Sequence, residues 1–130
     1  PEQLMRIVIG FLLGYSIIGL TTAMTHQLLY AQMVPSDDAP RTEYLTVITA
    51  TDTVIAILGG WLCATVSREA RKATLALVTV GEVSQVALAL SVWGSVPHIY
   101  NFVHWIAYPF AVWLGARLGI WVGANRYDSK

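Results

Sequence analysis

The sequence predicts an all-α, polytopic membrane protein: a four-transmembrane-helix antiparallel bundle with both termini on the cytoplasmic side (N-in/C-in). Three observations predict it. Of the 130 residues, 55% are hydrophobic and 12% are charged, about half the charge of an ordinary soluble domain. Four apolar segments approach the roughly 20 residues needed to cross about 30 Å of hydrocarbon. If those segments alternate in direction, seven of the eight basic residues fall on one side.

The first segment runs from about Leu4 to Met33 and contains IVIGFLLGYSIIGL, where only Tyr15 and Ser16 interrupt the apolar run. It is too long, and lacks a clear small-residue cleavage site, to be a signal peptide, so it is expected to be a retained helix. VPSDDAP follows, with Pro35 and Pro40 as breakers. The second segment spans about Tyr44 to Val66 and ends at the basic SREARK. The third spans about Ala73 to Trp93 and stops at WGSVPH, where Gly94 and Pro97 punctuate the chain. The fourth spans about Ile99 to Val122, and from Ala107 onward its interior offers little polarity beyond Tyr108 and Arg117. A soluble bundle would need a polar stripe along each helix, which segments one and four lack. Connections this short join antiparallel neighbours, and one domain, 1–130, is expected.

Arg6, Arg68, Arg71, Lys72, Arg117, Arg126 and Lys130 lie on one set of ends, and only Arg41 on the other. The positive-inside rule then places both termini and the second connection in the cytoplasm of a bacterial-type inner membrane. Asp37, Asp38 and Glu43 face outward. Tyr44, Trp93 and Tyr100 suit an outer aromatic belt, and Trp121 and Tyr127 an inner one.

Several function classes are excluded. The 8 basic and 8 acidic residues cancel, which argues against nucleic acid as a partner, since phosphate recognition needs clustered positive charge. The lone Cys63 rules out an intrachain disulfide, a Cys-based zinc module and thiol-disulfide chemistry. No nucleophile elbow, phosphate-binding glycine loop or HExxH pattern is present. No enzymatic activity is expected.

Small residues let helices approach closely where lipid removes most of the hydrophobic drive between them. Gly10 and Gly14 in segment one, Gly59 and Gly60 in segment two, and a ridge of Ala107, Ala111, Gly115, Gly119 and Gly123 in segment four are the expected packing positions. The ridge is expected to pack within the chain, on segment one or two, ahead of a homo-oligomer contact. The two hairpins share a topology, but no internal repeat is visible.

Polar residues gather in the other half. Thr22 and His26 share a face of segment one, Thr49 and Asp52 a face of segment two, and Asn101, His104 and Tyr108 recur at helical spacing in segment four. Glu82 lies near the middle of segment three, with Gln85 one turn beyond. A charge at the bilayer centre costs at least about 2.5–3.5 kcal/mol, so such residues usually face the bundle interior and mark ion or proton pathways. The expected site is therefore an outward-facing polar cavity built from Asp52, Glu82, His26, His104, Gln85, Thr22, Thr49, Asn101 and Tyr108.

The function this predicts is binding or translocation of a small cation, proton-coupled through Asp52 or Glu82, by a protein that forms homo-oligomers in the lipid bilayer. A divalent cation such as zinc is one candidate, with Asp52, Glu82, His26 and His104 as ligand types of the right chemistry. The competing class is a non-catalytic assembly or structural subunit, in which Asp52 bonds nearby threonines and Glu82 pairs with Arg117. A b-type haem between His26 and His104 is a minor third reading. In size alone the chain resembles the small multidrug-resistance exporters, but those carry their essential Glu in the first helix. Segment one here has no carboxylate after Glu2, so their activity does not carry over.

Overall fold

A computed structural model describes residues 1–34, 42–67 and 69–128, with side chains through residue 123. Pro35, Asp37, Asp38, Pro40, Arg41, Arg68 and Lys130, and the side chains of Arg126 and Tyr127, lie outside the described residues.

Four helices make up the fold: α1 (Glu2–Met33), α2 (Thr42–Ser67), α3 (Ala70–Ser91) and α4 (His98–Asp128). All four are long and apolar enough to cross a membrane. Their ends pass beyond the apolar segments at several points, most clearly at Ala70, where α3 begins with Arg71 and Lys72 already helical. Backbone hydrogen bonding does not require an apolar side chain, so hydropathy marks the part of a helix that suits lipid rather than the helix itself. At the other end α3 stops at Ser91, two residues short of the expected Trp93. There the Val92 N–H turns back to the Ala89 carbonyl at 3.3 Å, and the Ser95 N–H to that of Val92 at 2.8 Å. Pro97 immediately precedes α4, a place where a missing N–H is cheap.

Large apolar side chains cover the outside. Leu20, Leu88, Ile99 and Phe110 are each 66–70% exposed, and α1 buries only Gly10 and Gly14. Lipid solvates such a surface and water does not.

α2 is the hub of the bundle, packing on α1, α3 and α4, whereas α1 and α4 have no comparable packing with each other among the described residues. Two consecutive glycines serve two neighbours, because successive helical residues point about 100° apart. Gly59 faces α1, where a Cβ would meet Ile18. Gly60 faces α4, where a Cβ would sit 2.2 Å from the Val112 carbonyl oxygen. The approach is mutual: a Cβ on Gly14 would lie 2.9 Å from the Gly59 carbonyl oxygen, and one on Gly115 would lie 1.9 Å from that of Ile57. Gly10 sits against Cys63 and Ser67, and Gly119 against Trp61 and Ala64. Gly123 has no described atom within 4 Å of its would-be Cβ, so the ridge of α4 meets α2 through Gly119 and the residues before it.

This packing divides the interior into two apolar clusters. One gathers Ala56, Cys63, Ala73, Leu77, Tyr108, Ala111 and Val112. The other gathers Val34, Tyr44, Leu45 and Ile48, with Leu29, Met33, Val96 and Tyr100 against it. Asp52 lies on α2 between Ile48 of one cluster and Ala56 of the other.

Candidate functional site

On α2 the pattern of buried positions, Tyr44, Leu45, Ile48, Asp52, Ile55, Ala56, Gly59 and Gly60, keeps the helical period. Asp52 occupies a core position by register and is 9% exposed. An ionised carboxylate is tolerated in such a place only with hydrogen-bond donors around it. Its own helix supplies none: the hydroxyls of Thr49 and Thr53 donate instead to the carbonyls of Leu45 and Thr49, four residues back, at 2.8 and 2.7 Å. This local bonding is what a threonine inside a helix can always reach.

The donors come from the flanking helices. His26 on α1 places Nε2 at 2.8 Å from Asp52 Oδ2 and 3.0 Å from Oδ1. His104 on α4 places Nε2 at 2.7 Å from the same Oδ2. A carboxylate only accepts, so each Nε2 carries the hydrogen in these contacts. Charge-assisted N–H···O bonds have these lengths and about twice the strength of neutral ones. The cluster also links α1 to α4, which do not otherwise pack together among the described residues.

The two rings differ in setting. The side chain of His26 is 37% exposed and that of His104 is 14% exposed. Tyr100 lies against the His104 ring with centroids 4.9 Å apart. His104 Nδ1 is buried and has no hydrogen-bond partner. Beside Asp52 and His104 is a space of about 10 Å³ edged by Thr53, Gln85, Ala107 and Tyr108, close to the minimum for one water molecule.

The other expected site residues are placed as follows. Glu82 has a buried Oε2 without a partner; it lies within electrostatic reach of His104 but does not edge the small space. No ion pair joins it to Arg117 among the described residues; the Arg117 guanidinium instead stands 5.0 Å from the centre of the Trp113 ring. Asn101 is buried with an unpartnered Nδ2. Thr22 is half-buried one turn before His26. The Tyr108 hydroxyl donates to the Leu77 carbonyl at 3.1 Å. His98 is exposed and stacks on Trp93.

Three positions that sequence reasoning left aside shape the site. Gly81 leaves room for Tyr108, since a Cβ there would lie 1.8 Å from the phenol oxygen. A glycine one residue before an intramembrane acid was the available signal. Ser84 donates its single hydrogen to the Val80 carbonyl at 2.9 Å, so the 2.9 Å contact with Tyr15 is donated by the tyrosine. No spacing within either helix reveals that pair. Pro109 sits inside α4 and deprives the Trp105 carbonyl of its helical donor, one turn from the cluster.

As for ligands, each Nε2 addresses a carboxylate oxygen directly rather than a shared empty centre. Among the described residues no group of three or more His, Cys, Asp and Glu side chains is placed to hold a metal ion. Both Nε2 atoms, the ring positions that a haem iron would take, contact Asp52 here. Comparison with models of known families, with curated proteins and with solved structures finds no match.

Proposed function

We propose that the protein is a polytopic inner-membrane protein of bacterial type that binds a proton at the His26–Asp52–His104 cluster and uses that site for proton-coupled translocation. The observation that carries this reading is the meeting of both imidazole Nε2 atoms on one buried carboxylate oxygen, at 2.8 and 2.7 Å. With both rings neutral and Asp52 ionised, the cluster carries one negative charge. One added proton makes it neutral, the state that a low-dielectric interior favours. His26 is the more exposed ring of the cluster. His104 carries an unpartnered Nδ1 and passes the change of charge to α4 and toward Glu82. A proton rather than a divalent ion is the cation that this hydrogen-bonded donor set fits.

In this reading the helices run antiparallel with both termini in the cytoplasm, the orientation that puts seven of eight basic residues inside. The His–Asp cluster then lies in the outer half and the Gly-packed contacts in the inner half. A homo-oligomer completes the pathway, since four helices enclose little space of their own.

One observation favours the competing reading of a non-catalytic assembly subunit. The polar groups of the cluster bond chiefly to one another, around about 10 Å³ of space. Purified protein in liposomes loaded with a pH-sensitive dye, under an imposed potassium diffusion potential, separates the two. Proton uptake above that of protein-free liposomes, lost in Asp52→Asn and reduced in Glu82→Gln, is the expected result. Uptake equal to the protein-free control, or unchanged in a folded Asp52→Asn, leaves the assembly reading in its place.

A further inference from the structure

A second feature lies between α3 and α4, extending from Pro109 and Val78 toward Arg71 and Arg117. Between α3 and α4 runs an open groove of about 860 Å³. Leu75, Val78, Phe110 and Trp113 provide apolar wall, and Arg71 and Arg117 are the charged residues lining it. No carboxylate lines the groove. Neither guanidinium forms an ion pair among the described residues: Glu69 is taken by Lys72 at 3.6 Å, and Arg117 lies over Trp113. Both arginines are exposed. Thr74, also on the groove, is 8% exposed and carries a buried hydroxyl without a hydrogen-bond partner.

We propose that this groove is a binding site for an anionic phospholipid, with the phosphate between Arg71 and Arg117 and an acyl chain along the α3/α4 wall. Charge complementarity selects the occupant. Two cations without an ion pair among the described residues, beside an apolar trough, match a molecule that is anionic at one end and hydrocarbon at the other. Basic pockets between transmembrane helices on the positive-inside face suit such headgroups. The planar guanidinium offers paired N–H donors to phosphate oxygens. A soluble anion would satisfy the arginines but leave the apolar wall bare. A zwitterionic lipid would fill the wall but bring a cation to the arginines.

Native mass spectrometry of the detergent-purified protein, titrated with dioleoylphosphatidylglycerol or dioleoylphosphatidylcholine, tests the proposal on the unmodified chain. At about 1 kcal/mol for each basic residue near a headgroup, two arginines predict roughly tenfold or greater preference for the anionic lipid. The Arg71→Gln/Arg117→Gln variant is expected to bind both lipids alike, while Arg6→Gln keeps the preference. Glycerol phosphate, lacking acyl chains, is expected not to compete at equal concentration. Equal binding of the two lipids by the unmodified protein overturns the site. Competition by glycerol phosphate overturns the lipid as its occupant, and so does a dimer mass that replaces the lipid adducts. Failure of Asp52→Asn to alter proton flux has no bearing on any of these outcomes.

Discussion

The Nε2 of His104 lies 2.7 Å from Asp52 Oδ2, joining a ring on α4 to a carboxylate on α2, two elements whose glycines also bring their backbones into contact. Close packing and polar pairing therefore coincide on one interface. The small residues let the two helices approach closely along the same interface.

Asp52→Asn keeps the shape of the side chain and removes its charge. Hydrogen bonds to charged groups contribute about 1.5–3 kcal/mol each, so a loss of about 2–4 kcal/mol is expected when two are weakened together. Reversible unfolding in mixed micelles measures it. Nitrogen-15 NMR of labelled histidines gives a separate readout: both rings of the parent protein are expected as the Nε2–H form when neutral, and the variant is expected to lose that shared preference.

Glycine substitutions are expected to separate by position. Gly115→Ala would place a methyl 1.9 Å from the Ile57 carbonyl oxygen, and overpacking against backbone typically costs about 1–3 kcal/mol. Gly19 has nothing within 4 Å of its would-be Cβ, so Gly19→Ala is expected to be neutral or to stabilise α1 by up to about 1 kcal/mol. Thermal unfolding of the two variants side by side checks this. Equal midpoints for both would show that the α2–α4 backbone contact does not limit stability.

Gly81 and Tyr108 form a third test. A Cβ at position 81 would lie 1.8 Å from the phenol oxygen and 2.4 Å from Cζ. Gly81→Ala is therefore expected to cost about 1–3 kcal/mol, and Tyr108→Phe about 1 kcal/mol for the hydrogen bond to Leu77. The double variant is expected to lose less than the sum, because removing the hydroxyl relieves the tighter of the two clashes. Contacting residues show coupling of this kind at about 0.5–3 kcal/mol. Strict additivity in a double-mutant cycle would exclude the contact.

Much of the site was visible as residue types before any partner was known. His26, Asp52 and His104 stand out because charge and imidazole are rare inside apolar helices. Their depths follow from counting 1.5 Å per residue. An open cavity was expected to unite all the polar residues; what the helices bring together is a direct three-residue contact with about 10 Å³ beside it. Depth is a one-dimensional quantity, whereas contact also needs the rotation of each helix about its axis. That rotation comes from packing: Gly59 turns toward α1 and Gly60 toward α4, which leaves Asp52 facing both. Glu82, on α3, lies outside this contact, with Oε2 buried and without a partner.

The low charge of the sequence, at 12% of residues, pointed to four helices apolar enough to cross a membrane and to the short list of side chains able to carry chemistry. These are properties of a segment taken alone, since transfer into lipid is summed residue by residue along one helix. Which of those side chains touch was decided only by the tertiary structure. Three helices had to dock on α2 at particular faces, and hydrogen-bond strength falls off within a few tenths of an ångström. The contact of His26 and His104 with one oxygen of Asp52 is therefore a product of packing, as is the groove between α3 and α4 that Arg71 and Arg117 line.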